Sequence, residues 1–249
     1  MNILIVGDNP EIIGGVVNYT RPLSLGLKNQ KNNIHYLYSV AATGRFDFGS
    51  IRIKSSNRLG IHFHELINGE GLVFNYDNLA VDTGSWFSEN FSTLISNHDI
   101  DIIHINEIFG FSSAIINVAK SMNVKVIITV HEYWWLCPHK VMVDFNGKVC
   151  EGPLDLIKCT YCVQKRMSDF PSSQKSKLRF KFKNVFPRSF SLLSNFRQKL
   201  FPQLYSKPTR LAFGSDEVSE ESINNKTLRD SIVERLRKNV ENMNKADMI

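Results

Sequence analysis

The chain has 249 residues, enough for one large α/β domain or two small ones, and its 43% apolar and 22% charged composition is ordinary for a globular protein. No apolar run reaches the ~18 residues of a membrane span, and the N-terminus MNILIVGDNP has neither a basic leader nor a small-residue cleavage site. A cytoplasmic protein is the expectation. The net charge of +6 is uneven: between Val163 and Arg210 twelve Lys or Arg stand against one acid, Asp169, while the rest of the chain is mildly acidic. Such a stretch points to an anionic partner surface, phospholipid headgroups or nucleic acid.

Residues 2–7 (NILIVG) run apolar without alternation, as a strand covered on both faces does. Gly14-Gly15 then opens a predicted helix from Val16 to Asn29, with Pro22 a potential irregularity. IHYLYSV, residues 34–40, is a second strand. Strand, helix and strand within forty residues make the opening unit of a doubly wound fold. Ser50–Lys54 and Ile61–Ile67 alternate as a short hairpin would. Residues 84–97 are predicted helical from the spacing of Trp86, Phe87, Phe91, Leu94 and Ile95.

The pattern then clears. Asp101–Ile105 is a buried strand, Gly110–Met122 an amphipathic helix and Val124–Val130 another buried strand, a βαβ unit with a right-handed crossover. Residues 132–210 lose this regularity, being rich in aromatic residues and cysteine and then basic with Pro171, Pro187, Pro202 and Pro208. They are expected to form an insertion in one domain spanning 1–249. A helix is predicted over Ser215–Asn244, with Leu228, Ile232, Val233, Leu236 and Val240 on one face. Ala246–Ile249 reads as the approach to a further strand.

Three segments together resemble the N-terminal domain of family 4-like glycosyltransferases. They are GDNPEIIGGVVNYTRPLSLGL, DIIHINEIFGFSSAIINVAKSMNVKVIITVHEYWWLCP, and the cysteine set around CEGP and KCTYC. The resemblance implies one Rossmann-like half of a GT-B fold, the acceptor side. The whole enzyme would move a sugar from a nucleotide sugar to a glycan or lipid-linked acceptor with retention and without a catalytic metal. The donor would be held mainly by a C-terminal domain, so this chain alone would have little activity.

Each site residue has a physical rationale. Glycine lets the backbone approach a ligand closely, and free N–H groups at a helix start favour anions, so Gly14 and Gly15 are candidate substrate-binding residues. His131 ends a central strand, on the edge where open α/β sheets bind ligands; the resemblance puts the matching histidine against the transferring sugar, making His131 the candidate catalytic residue. Glu132 is read as orienting His131 or capping a loop, and Glu107 as reaching an acceptor hydroxyl. His104 lies within a strand and reads as structural.

Cys137, Cys150, Cys159 and Cys162 are the only cysteines in the chain and fall within 26 residues, a ligand count suited to one closed, structural Zn²⁺. Residues 175–201 interleave basic residues with Phe180, Phe182, Phe186, Phe190, Phe196 and Phe201. An amphipathic helix on the inner face of an anionic bilayer has that composition. A solvated helical pair and a stacking surface for single-stranded nucleic acid are the other readings, the last the weakest. Two further functional classes stay open: a non-catalytic scaffold completed by a separate donor-binding subunit, and a zinc-stabilised nucleic-acid-binding protein.

Overall fold

The computed structural model describes residues 1–40, 52–67, 84–108, 111–138, 141–153, 155–169 and 226–249, with side chains throughout except at 84–87 and 166–169. In chain order these residues form β1 (Asn2–Gly7), α1 (Gly15–Asn29), β2 (Asn33–Val40), β3 (Arg52–Arg58), β4 (Ile61–Ile67), α2 (Gly84–Asn97), β5 (Ile102–Ile105), α3 (Ala114–Ser121), β6 (Lys125–Ile128), a 3₁₀ turn (Tyr133–Trp135), α4 (Leu156–Asp169) and α5 (Lys226–Met243). The six strands make one sheet in the order β3-β4-β2-β1-β5-β6. All neighbours are parallel except the β3–β4 hairpin.

Alternation along the strands builds the two layers. On β1, Ile3 and Ile5 face one side and pack with Ile34, Tyr36 and Tyr38 beneath Leu23 and Leu27 of α1. Leu4 and Val6 face the other side, into a larger core with Leu37, Leu66, Ile103, Ile105 and Val126 and the helical residues Phe91, Leu94, Ile115 and Ile116. Burial of β1 on both faces explains its continuous apolar run. The chain moves outward from β1 to β2 and β4, then returns to β5 on the other side of β1. Its direction therefore reverses between β1 and β5, where sheets of this kind leave a crevice.

Several boundaries differ from the predicted ones. Helix α1 passes Pro22 unbroken. Helix α3 starts at Ala114 rather than Gly110, after turns in which Phe111 N–H donates to Ile108 O and Ser112 Oγ accepts from Ala114 N–H at 3.2 Å. The buried stripe of α5 is Leu228, Ile232, Arg235, Asn239 and Asn242, whereas Val233 and Val240 are 41% and 44% exposed. Polar partners displace the apolar face. Arg235 Nη2 donates to the Trp134 carbonyl while its guanidinium lies over the Trp134 ring, 4.3 Å from the centroid. Asn239 Nδ2 donates to Trp135 O at 3.0 Å, and Asn242 Nδ2 to Ser113 Oγ at 2.9 Å. These partners offset part of the desolvation cost, so the helix can turn polar groups inward, with Arg235 Nη1 left without a hydrogen bond among the described residues.

The C-terminus meets the sheet as expected of an approaching strand. Met248 forms a parallel bridge with Ile127, and Asp247 accepts from Val126 N–H at 2.8 Å and pairs with Lys120 at 2.8 Å. Part of the 132–210 segment is described, namely 132–138, 141–153 and α4. The basic, aromatic stretch 175–201 and the start of the helix predicted from Ser215 lie outside the described residues. Among the described residues no helix is long and apolar enough to cross a membrane.

Candidate active site

The crevice between the C-terminal ends of β1 and β5 collects the residues singled out for chemistry. Asn106 and Glu107, just past β5, both donate their N–H to Val6 O near the end of β1, at 2.8 and 3.3 Å. The glycine loop rises from β1 on the same edge. Its base is tight: a Cβ at Gly7 would come within 2.5 Å of the Tyr36 hydroxyl. That hydroxyl donates to Asp8 O at 3.0 Å and bonds the Thr20 hydroxyl at 2.8 Å; burial is the main reason its pKa is pushed up to about 12. Asn9 caps the next turn by accepting from Glu11 N–H at 3.0 Å. Arg21, from α1, donates to the carbonyls of Pro10 and Ile12.

Replacing Gly7 by alanine must therefore displace the Tyr36 hydroxyl and loosen the loop. The expected cost is ~1–3 kcal/mol, the usual penalty for overpacking, read as a lower urea midpoint at constant slope.

Gly14 and Gly15 differ from Gly7. Gly14 is extended, a conformation any residue adopts, and a Cβ on either glycine would meet nothing within 4 Å. Neither backbone angle nor internal packing requires glycine there. What the pair provides is bare backbone at the start of α1, with no side-chain cap and no acid in the first turn, leaving N–H groups directed outward.

His131 stands exposed beyond β6 and lies against α1; its ring centroid is 4.8 Å from that of Tyr19. Its Nε2 meets Asn106 Oδ1 at 3.1 Å, and Asn106 Nδ2 donates to His104 O at 3.3 Å. The second contact fixes which way the amide points. The first therefore places the proton on Nε2 and leaves Nδ1 as an acceptor, a tautomer assigned from the hydrogen-bond network. Asn106, itself 3% exposed, is the orienting group that sequence reasoning passes over. Glu132 is half-buried and extended ahead of the 3₁₀ turn, and Glu107 is buried at 3% exposure. His104 bonds Thr129 Oγ1 at 2.8 Å; burial, with the neighbouring His131, lowers its pKa.

The four cysteines come from three segments. Cys137 closes the 3₁₀ turn, its N–H donating to Tyr133 O at 2.6 Å. Cys150 follows the tight Val143–Val149 hairpin, whose turn uses Gly147 at φ 75°. Cys159 and Cys162 lie one turn apart on α4. Burial first, then the other three thiols, pushes Cys159 up to about 12. Asp144 braces the hairpin: burial opposes its charge, but Lys158 at 2.9 Å and the N–H groups of Lys148 and Asn146 hold its carboxyl below the ordinary value. All four thiols are free and half-buried. Once deprotonated by a metal, cysteine sulfurs are soft donors that suit Zn²⁺. Among the described residues, the group whose ligand atoms all lie within 4.8 Å of one another is a different one: His35, His64 and His98.

The sequence matches the model of glycosyltransferase family 4 over residues 13–145, just over half of the chain, a span that includes the glycine loop, β5, His131 and Cys137. No curated protein matches it. Solved structures similar to it include trehalose-6-phosphate from E. coli bound with UDP-2-fluoro glucose, at 11% identity and a TM-score of 0.32. Another is an α,α-trehalose-phosphate synthase (UDP-forming) from Burkholderia xenovorans in complex with glucose-6-phosphate, at 10% identity and a TM-score of 0.29. In both cases 53% of this chain aligns with 33% of the other, so the aligned part spans about a third of their length. On the extent of the family match, the chain belongs to glycosyltransferase family 4.

Proposed function

We propose that the 249 residues form the acceptor-side domain of a retaining glycosyltransferase, with 132–210 inserted in it, acting on a nucleotide-sugar donor and a glycan or lipid-linked acceptor. One observation carries this reading: Asn106 and His131 meet, beside Tyr19 of the helix that Gly14-Gly15 opens, at the edge where the sheet reverses direction. In this reading the amide N–H groups at the start of α1 face the donor's phosphates, which carry the negative charge a helix N-terminus favours. Asn106 holds His131 with Nδ1 free to accept from a hydroxyl of the transferring sugar. A donor-binding domain, in the same or another polypeptide, supplies the opposite wall, and the acceptor enters between them.

The test is sugar transfer. A panel of labelled nucleotide sugars is offered to this domain with and without a donor-binding domain, and the anomeric configuration of the product is read by NMR. Transfer with retention only in the combined system is expected. Robust transfer by these residues alone, or an inverted product, would overturn the reading.

The cysteine set is part of the same proposal, as a structural Zn²⁺ site pinning the 3₁₀ turn after His131 to the hairpin and α4. Elemental analysis of the purified protein is expected to show zinc, and the four thiols are expected to resist a thiol reagent until a chelator is added. Protein without zinc whose four thiols all react freely would remove the site.

A further inference from the structure

On the α2 face of the sheet, away from the edge that carries His131, lies a patch of imidazoles that catalysis does not use. His35 is on β2, His64 on β4, and His98 on the turn that ends α2. One ring nitrogen from each of the three lies within 4.8 Å of the others. His35 and His64 are each 1% exposed, with nearly parallel rings and His35 Nδ1 only 3.0 Å from His64 Nε2. His98 lies across both, tilted 43° and 47° to them at centroid distances of 4.5 and 5.0 Å. His62 stacks flat on His35 at 4.8 Å, a plate against the cluster.

Packing does not call for this arrangement. The neighbouring inward positions on the same strands, Leu37 and Leu66, are apolar core. Three rings from three separate segments instead bring one nitrogen each to within 4.8 Å of the others. The nitrogens facing outward are anchored: His64 Nδ1 bonds Ser55 Oγ at 2.8 Å, and His35 Nε2 meets Asn33 Nδ2 at 3.2 Å. An inner nitrogen aimed at a common centre and an outer one held by a polar neighbour is the usual pattern of metal-bound histidine.

We propose that His35, His64 and His98 bind a divalent transition-metal ion, which staples the end of α2 to β2 and β4. The ion takes His64 Nε2, His35 Nδ1 and one nitrogen of His98, with water completing the shell. Neutral imidazoles favour Zn²⁺, Co²⁺, Ni²⁺ or Cu²⁺ over Mg²⁺ and Ca²⁺. The ion replaces the one proton shared by His35 and His64. His35 then carries its proton on Nε2, and the Asn33 amide turns its oxygen toward it, so no net charge is lost from the rings. The His98 nitrogen moves in and the His35–His64 pair opens slightly, to roughly 3.4 Å between nitrogens, as tetrahedral bonds of ~2.1 Å require. Burial first, then the other histidines, favours the uncharged forms, bringing His35 down to about 4 and His64 to about 3.

Co²⁺ titrated into chelator-treated protein tests this and separates the site from the cysteines. Thiolate coordination gives a near-ultraviolet charge-transfer band, whereas imidazole coordination gives visible d–d bands without it. One equivalent of the second kind is expected. His98→Gln, at a half-buried position, is expected to lose that equivalent while any charge-transfer signal stays. Ser55→Ala keeps all three ligands and is expected to weaken Co²⁺ binding ~10–100-fold. The proposal fails if wild type binds no Co²⁺ of the second kind, or if His98→Gln binds the same amount. If circular dichroism shows His98→Gln unfolded, the decision passes to Ser55→Ala, and wild-type affinity in that variant overturns the site.

Discussion

Changing His131 to alanine is expected to lower kcat/KM for sugar transfer by ~10²–10³-fold in the complete enzyme, the loss typical of one well-placed hydrogen-bonding group at the reacting centre. The side chain is exposed and, among the described residues, hydrogen-bonds Asn106 at 3.1 Å, so the fold has little stake in it. The melting temperature is therefore expected to stay near wild type while activity collapses. Asn106→Ala tests the orienting role separately. It leaves the imidazole in place but frees its tautomer and rotation, so a smaller fall, mainly in kcat, is expected. Wild-type kcat/KM in His131→Ala would remove this residue from the reaction.

The largest stability loss is expected at Phe91. Its ring is fully buried in the core between α2 and the sheet, with Leu37, Leu66 and Leu94 in the same cluster. Truncation to alanine removes the transfer free energy of the ring and leaves a cavity that rigid strands cannot fill, for ~3–5 kcal/mol in total. The urea midpoint should drop with the slope unchanged. Leu25→Ala is the control: it is 45% exposed on α1, and its change should stay within ~0.5 kcal/mol. Equal losses at the two positions would mean that α2 does not pack as described.

How much of this was legible in the sequence depended on how local each signal is. The strands were readable because a parallel sheet buries both faces, and NILIVG has no other good use. The glycine loop and His131 were readable because they sit at fixed offsets from such strands. Asn106 was not, since one asparagine after a strand has no periodicity, and its role appears only when β5 and β6 lie side by side. The histidine cluster was hidden for the same reason. His35 and His64 meet only because β2 and β4 pair in register, Leu37 against His64 and His35 against His62. Helix α5 misled because apolar periodicity assumes polar residues face water. Here the carbonyls of Trp134 and Trp135 draw Arg235 and Asn239 inward.

That last arrangement has a kinetic consequence. Trp134 and Trp135 are held by donors from α5, on a turn that begins two residues after His131. For this turn to open, the carbonyls must leave buried donors that have no water to replace them. The helix and the turn therefore form one cooperative unit, released together or not at all. The fluctuations of the edge that carries His131 are thus set by the detachment of a helix nearly a hundred residues further along the chain.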